Sequence, residues 1–200
     1  MLFTNIKVNG MHWHQLINFT KPNRYPHIFS KCAEIKTGKI KILSFGCSTG
    51  EECFSLREYF PLAEIEGVDI NEKCLDIARS KNKDNNIIFN SAVTSNSFDW
   101  IFCMSVLCRE IPDVKLDDCS RYYRFSQFEN ELDHLIDRLS PNGGIVIYNS
   151  NFKFCDTRFF SSFDVVPTNA LYGSGWATKF DLHHLMLENQ EYKDCVFLKC

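Results

Sequence analysis

A short turn bounded by glycines carries the residues of this sequence that are best suited to ligand binding. Gly46 and Gly50 enclose three small or polar residues, and the turn follows an apolar segment that begins at Ile40. Glycine lets the main chain approach a ligand closely, and free N–H groups at the start of a helix favour polar or anionic groups. A helical segment follows directly from Glu51. We therefore expect the turn to face a bound molecule.

A carboxylate, Asp69, ends the next predicted strand, which covers residues 63–69. A carboxylate has two acceptor oxygens, and at the tip of the second strand of a doubly wound sheet it is placed to bind both hydroxyls of a ribose. The carboxyl ends of parallel strands meet at one edge of such a sheet. Asp69 and the glycine turn are therefore predicted to border one crevice, which indicates a nucleoside ligand.

Alternating strand-like and helix-like segments predict the α/β scaffold that positions these groups. Short apolar runs are typical of buried parallel strands, and apolar residues at intervals of three and four are typical of amphipathic helices. Strands are predicted at residues 40–45, 63–69, 87–89, 98–104 and 145–148, with an antiparallel pair at 163–166 and 192–199, and helices at 28–35, 51–60, 71–81 and 121–139. Ser48 and Glu51 stand at capping-box spacing, which predicts where the second helix begins.

The composition argues against several other classes of protein. A net charge of −3 offers no basic field for a nucleic-acid partner. Ten cysteines without a C-x-x-C pair predict free thiols in a reducing cytoplasm, and the sparse histidines predict no metal site. No apolar run reaches the ~20 residues that span a membrane, and no signal-peptide pattern is present. We expect a cytoplasmic protein with no membrane partner.

The glycine turn also carries a family resemblance. Residues 45–50, Phe-Gly-Cys-Ser-Thr-Gly, resemble the first motif of class I S-adenosylmethionine (SAM) methyltransferases. The longer string from Cys47 to Leu56 is similar to the loop of the chemotaxis-receptor protein-glutamate methyltransferases. The resemblance implies an α/β, Rossmann-like class I methyltransferase fold. Such a fold has a seven-stranded, mostly parallel sheet with a C-terminal antiparallel hairpin and helices on both faces.

The resemblance implies SAM as cofactor and a contact for each part of it. The glycine loop with Arg24 or Glu51 would hold the amino-acid tail, and Asp69 would hold the ribose. Ile70 and Ala92 would contact the adenine, and residues 104–107 would lie near the transferred methyl group. The full set of expected cofactor contacts is Arg24, Tyr25, Phe45, Gly46, Cys47, Ser48, Gly50, Glu51, Asp69, Ile70, Asn71, Ser91, Ala92, Met104, Ser105 and Leu107.

The sequence departs from the family pattern at four positions. Ser44 stands where many class I enzymes have an acid, and Ser48 replaces the second glycine. Met104 and Ser105 replace an arginine and an asparagine of the chemotaxis enzymes, which leaves the acceptor open. No residue is assigned as a general base, because methyl transfer needs one only when the nucleophile arrives protonated.

The chain is predicted to consist of an N-terminal capping segment, residues 1–38, and a SAM-binding methyltransferase domain, residues 39–200. In class I methyltransferases such a lead segment covers the cofactor pocket. Residues 173–176 are glycine-rich and aromatic, and either line the acceptor site or place Trp176 against the sheet edge.

These features favour a SAM-dependent methyltransferase with a small-molecule acceptor. The alternative is a protein carboxylate (glutamate) methyltransferase, although the receptor-binding parts of the chemotaxis enzymes have no counterpart here. A non-catalytic SAM-binding module is a third interpretation, against which Gly46, Gly50 and Asp69 argue. An NAD-linked dehydrogenase is disfavoured because the turn lacks the third glycine of G-x-G-x-x-G.

Overall fold

A seven-stranded sheet with helices on both faces forms the centre of the molecule. The structure is a computed structural model that describes residues 7–8, 11–12, 18–109, 117–168 and 175–200. Its strands are β1 (Lys7–Val8), β2 (Met11–His12), β3 (Lys41–Phe45), β4 (Glu64–Val68), β5 (Ile87–Asn90), β6 (Phe98–Met104), β7 (Leu139–Tyr148), β8 (Phe163–Val166) and β9 (Val196–Lys199). Its helices are α1 (Pro26–Ile35), α2 (Glu51–Tyr59), α3 (Glu72–Lys81) and α4 (Phe125–Ile136).

The strand order across the main sheet is β5-β4-β3-β6-β7-β9-β8. The strands from β3 to β7 pair in parallel, whereas β9 is antiparallel to both β7 and β8. The order reverses between β3 and β6, and ligands of open α/β sheets bind at the carboxyl ends beside such a switch point. The predicted Rossmann-like fold with its C-terminal antiparallel hairpin is confirmed.

Two apolar layers hold the helices on the sheet. The helices α1, α2 and α3 pack on one face through a core that includes Phe29, Leu56 and Leu75. The helix α4 packs on the other face through Phe128 and Leu132. Burial of one such side chain contributes about 1.5–3 kcal/mol. Among the described residues, no helix is both long enough and apolar enough to cross a membrane.

The capping box predicted at the start of α2 is wrong. The helix begins at Glu51, directly after Gly50, whose φ is +91°, and no side chain caps it. The Ser48 hydroxyl instead donates to the main-chain carbonyl of Asn18 at 3.0 Å, and the Glu51 carboxylate accepts from Lys81 at 2.7 Å. Both side chains therefore have partners from distant parts of the chain, and these override the local pattern.

The other helix boundaries are predicted accurately only where residues close in sequence determine them. The helix α3 ends at the predicted residue and begins one residue after the predicted start, because the side chain of Asn71 caps it, accepting from the N–H of Lys73. The predicted helix 121–139 is too long at both ends, since α4 covers Phe125–Ile136. Leu139 already belongs to β7, where it pairs with Phe98 of β6.

Glu66, in the middle of β4, fixes the loop that follows β5. Its side chain is buried, and its carboxylate accepts from the Thr94 N–H at 2.7 Å, the Thr94 hydroxyl at 2.8 Å, the Ser95 N–H at 3.1 Å and the Asn90 amide at 3.2 Å. Burial alone would raise the pKa of Glu66, but these hydrogen bonds outweigh it and the pKa is lowered. The carboxylate thereby positions residues 91–95, which include two expected cofactor contacts.

We predict that Glu66→Gln lowers the free energy of unfolding at neutral pH by about 1–3 kcal/mol, because an amide cannot accept from all of these donors. Since the folded-state pKa is depressed, the carboxylate stabilises the fold above its unfolded pKa of about 4.3, and this contribution is lost as the pH falls through the folded value. Urea unfolding at neutral and acid pH measures both effects. Glu64→Gln, at the exposed start of the same strand, is the matched control. Equal stability of the Glu66 variant and the wild type at neutral pH would contradict the prediction.

Candidate active site

The glycine loop, residues 45–50, closes over the carboxyl end of β4. The N–H groups of Gly46 and Cys47 both donate to the carbonyl oxygen of Val68, at 2.7 and 2.9 Å. Gly46 has a φ of +80°, and a Cβ at this position would overlap the side chain of Val106, which follows β6. The loop therefore contacts residues at the carboxyl ends of β3, β4 and β6, and position 46 requires glycine.

Asp69 faces the glycine loop from the end of β4. Its Oδ2 accepts from the N–H of Ser48 at 2.8 Å, and its Oδ1 accepts from the N–H of Asn71 at 2.8 Å. Burial raises the pKa of Asp69, while these hydrogen bonds act in the opposite direction. The structure thus brings Asp69 and the loop together at the switch point of the sheet.

A second carboxylate, Glu52, lies in the first turn of α2 beside the same loop. Its Oε1 accepts from the hydroxyl of Ser44 at 2.8 Å. Burial raises the pKa of Glu52 to about 8, while Ser44 and Arg24 act to lower it. Burial also raises the pKa of the Cys47 thiol, and Asp69 and Glu52 both raise it further. Two carboxylates therefore lie close to the centre of the loop.

Glu51, the expected contact for the cofactor tail, has a cationic partner of its own. Its carboxylate pairs with the ammonium of Lys81 at 2.7 Å, which joins α2 to α3. It also accepts from the hydroxyl of Thr49. The role of Glu51 in holding the cofactor tail stays a prediction. Among the described residues, Glu52 and Asp69 are carboxylates at the loop that have hydrogen bonds but no ion-pair partner.

A chain of polar groups crosses the carboxyl ends of β6 and β7. The hydroxyl groups of Tyr25 and Ser105 are hydrogen-bonded at 2.9 Å, and the amide of Asn149 donates to Ser105 at 3.0 Å. Ser105 and Asn149 have φ values of +59° and +58°. Such left-handed residues other than glycine are uncommon, and they cluster at functional sites. The main chain is therefore strained at two neighbouring strand ends beside the crevice.

Arg24 lies over two aromatic rings at the start of α1. Its guanidinium is 5.4 Å from the ring centre of Phe19 and 5.2 Å from that of Tyr25, and it donates to the carbonyl of Phe19 at 3.3 Å. Its charge also acts to lower the pKa of Glu52. Arg24 therefore lies in electrostatic contact with Glu52, and its contact with the cofactor stays a prediction.

The remaining expected contacts divide into two groups. The side chains of Phe45, Cys47, Met104 and Leu107 are buried in the core, so these residues offer a ligand only their main chain. The other group is partly exposed around the exits of β4 and β5 and consists of Ile70, Asn71, Ser91 and Ala92. Gly173 and Ser174, and residues 1–6, 9–10 and 13–17 of the capping segment, lie outside the described residues. In the described part of the chain, no group of three His, Cys, Asp or Glu residues could hold a metal ion.

Two residues at the crevice were missed by sequence reasoning. Glu52 stands next to Glu51 in the sequence, and only the position of the helix start decides which of the two faces the loop. Asn149 follows the predicted strand 145–148, and a polar residue that tolerates a left-handed main chain at that point was an available signal.

The strand order and the glycine loop at the switch point are those of the class I methyltransferase fold. Residues 12–189 match a methyltransferase-domain family. This match covers most of the 200 residues, and the chain therefore belongs to that methyltransferase family. The likeness of the loop to the chemotaxis enzymes remains a resemblance. No curated protein matches the sequence.

Several solved methyltransferases resemble part of the structure. Phosphoethanolamine N-methyltransferase 2 of Haemonchus contortus, in complex with SAM, is 19% identical over 65% of this chain and 29% of that chain, with a TM-score of 0.46. The plantazolicin methyltransferase BpumL, in complex with S-adenosylhomocysteine (SAH), is 19% identical over 62% of this chain and 47% of that chain, with a TM-score of 0.44. A SAM-dependent methyltransferase from Mesorhizobium loti is 25% identical over 55% and 46%, with a TM-score of 0.35. The matched region spans less than half of each of these proteins.

We predict that Gly46→Ala destabilises the protein more than Gly38→Ala does. Both glycines have positive φ values, +80° and +101°, so both substitutions carry a main-chain penalty of about 1–2 kcal/mol. Only the methyl group at position 46 meets another side chain, that of Val106, whereas nothing lies within 4 Å of the one at position 38. Chemical denaturation of the two variants measures the difference, and equal losses would argue against the close approach of Val106.

Proposed function

We propose that the protein transfers the methyl group of SAM to a small-molecule acceptor, and that SAM lies across the carboxyl ends of β3, β4 and β6. The observation that carries this placement is the pair of carboxylates beside the glycine loop, Glu52 and Asp69. SAM has an amino-acid tail that ends in an ammonium and a carboxylate, and a ribose with two hydroxyl groups. One carboxylate for each, with main-chain groups between them, matches the charges and hydroxyls of that molecule.

Asp69 is the proposed ribose ligand. Its two oxygens accept from the main chain of Ser48 and Asn71, and a carboxylate has about four lone-pair sites, so capacity remains for sugar hydroxyls. Its hydrogen bonds to the loop also fix the direction in which the carboxylate points. The ligand site is therefore held in place by the main chain before the ligand arrives.

Glu52 is the proposed partner of the tail ammonium. Many class I enzymes have an acid at the position of Ser44, and here the Ser44 hydroxyl donates to Glu52 at 2.8 Å. The helix α2 thus supplies a carboxylate beside Ser44, the position at which β3 itself has no acid. A partly buried carboxylate with a raised pKa becomes ionised when a cation binds beside it, which links SAM binding to the release of a proton.

The methyl end of SAM is proposed to face the polar chain of Tyr25, Ser105 and Asn149. Tyr25 and Asn149 are buried, so the space at this end admits a small group more readily than a folded protein surface. Alignment of the acceptor with the methyl group supplies much of the rate in such a displacement, with effective molarities of about 10⁵–10⁸ M for well-oriented groups. No general base is assigned.

Residues 1–38 are proposed to cover the SAM pocket. Asn18 accepts from Ser48 of the glycine loop at 3.0 Å, and the N–H of Asn23 donates to Ser55 of α2 at 2.7 Å. On the other side of the sheet, β2 lies against α4. The described parts of this segment therefore contact both faces of the fold beside the crevice.

We predict that SAH binds in calorimetry and that Asp69→Ala weakens its binding at least tenfold, because charge-assisted ribose hydrogen bonds of about 1.5–3 kcal/mol are lost. Asp76→Ala, on the exposed face of α3, is the matched control and should bind SAH as the wild type does. Circular dichroism must show that the Asp69 variant is folded, since Asp69 also binds the loop. No heat with SAH or SAM, or an unchanged affinity of the folded variant, would overturn the proposed placement.

We predict that SAH binding at pH 7 releases a proton from Glu52. Because the pKa of Glu52 is about 8, the side chain is mostly protonated at pH 7, and pairing with the tail ammonium requires its ionised form. Calorimetry in buffers of different ionisation enthalpy measures the protons released. Glu52→Gln should release fewer protons than the wild type, whereas Glu51→Gln should match it. No proton release by the wild type, or equal release by the wild type and Glu52→Gln, would overturn the assignment of the tail to Glu52, because the pKa of Glu51 is lowered and its side chain has no proton to release at pH 7.

A further inference from the structure

Lys179, in the connection between β8 and β9, is a buried lysine without a counter-ion in the part of the chain that the structure describes. The residue is 1% exposed. Its ammonium donates to the carbonyl oxygen of Ala177 at 2.7 Å, and no described carboxylate lies within ion-pair distance. An ammonium has three N–H donors, so two of them are left for a ligand.

The buried ammonium of Lys179 is expected to lower the stability of the fold, which argues against a purely structural role. Burial lowers the pKa of its ammonium to about 8, and only the Cys108 thiol acts in the opposite direction. Replacing buried charged groups by apolar ones of similar volume is often neutral or stabilising, so a lone buried ammonium costs stability. Buried groups with perturbed pKa values are found preferentially at functional sites.

Hydrogen bonds connect Lys179 to the proposed methyl end of the crevice. The carbonyl that accepts from Lys179 belongs to Ala177, whose N–H donates to Asn149 at 2.8 Å. Asn149 in turn donates to Ser105, which is bonded to Tyr25. A continuous series of hydrogen bonds therefore connects the Lys179 ammonium to the residues that follow β6 and β7.

The segment that carries Lys179 is held against these strand ends. The side-chain amide of Asn151 donates to the carbonyl of Thr178 at 2.8 Å and to that of Arg109 at 3.2 Å. The side-chain oxygen of Gln190 accepts from the N–H of Lys179 at 2.7 Å. The position of the lysine main chain is thus fixed by side chains from two other parts of the fold.

We propose that Lys179 binds an anionic group, a carboxylate or a phosphate monoester, of the methyl acceptor. The inference rests on the proposed function, because it takes the ends of β6 and β7 as the acceptor side. An anion there gives the ammonium the counter-ion that the described residues do not supply. Acceptor selection would then depend on charge as well as on shape.

The test compares wild-type protein with Lys179→Met, which keeps the length of the side chain and removes the charge. Melting temperatures are measured in the presence of SAH, with inorganic phosphate or acetate at constant ionic strength, and SAH affinity is measured by calorimetry. We expect at least one anion to raise the melting temperature of the wild type and neither to affect the variant, with equal SAH affinity. Lys193→Met, on an exposed lysine paired with Glu191, is the matched control and should respond as the wild type does.

The outcomes show which kind of anion binds, and they separate a failure of this inference from a failure of the proposed function. A response to phosphate alone assigns a phosphate monoester, and a response to acetate alone assigns a carboxylate. Without added anion, Lys179→Met should melt higher than the wild type; a lower value would mean that the ammonium is a structural tie to Ala177 and would overturn the inference. Equal anion responses of the two proteins, or none in the wild type, would overturn it as well. Loss of SAH binding in both proteins, with the wild-type anion response intact, would reject the proposed function and leave the anion site standing.

Discussion

The carbonyl oxygen of Val68 holds the crevice together, because it accepts from the N–H groups of both Gly46 and Cys47. These two hydrogen bonds tie the exit of β3 to the exit of β4 and give the glycine loop its curvature. They leave the next N–H, that of Ser48, directed at Asp69. Every proposed cofactor contact on this side of the sheet depends on that geometry, since the loop, the ribose ligand and the start of α2 are set relative to one main-chain atom.

The charges around the loop follow from the phase of α2. The helix begins at Glu51, so consecutive glutamates point in different directions: the first pairs with Lys81 on α3, and the second reaches Ser44 on β3. The first carboxylate joins two helices on the outside, and the second stays protonated more easily because it is buried. Two adjacent residues of one type thus differ in protonation and in the contacts they offer, through their position on the helix alone.

The sequence was sufficient for the parts of the fold that have local causes. The bounds of α3 were predictable because Asn71 caps the helix from within its own segment. The start of α2 was not, because the side chains of Ser48 and Glu51 find partners remote in sequence. Likewise, Asp69 was identifiable from its place after a strand, whereas the contact between Ser105 and Asn149 arises only once β6 and β7 pair. Motif spacing predicts which strand ends meet, and tertiary packing decides which side chains face each other there.

The left-handed main chain at Ser105 and Asn149 limits which side chains this protein can carry at the ends of β6 and β7. At a positive φ, β-branched and bulky residues are strongly disfavoured, so only glycine and a few small polar residues are tolerated. Neighbouring positions with ordinary main-chain geometry, such as Val106 and the exposed Trp176, carry no such restriction. A laboratory library aimed at new acceptors should therefore leave Ser105 and Asn149 unchanged and vary their neighbours.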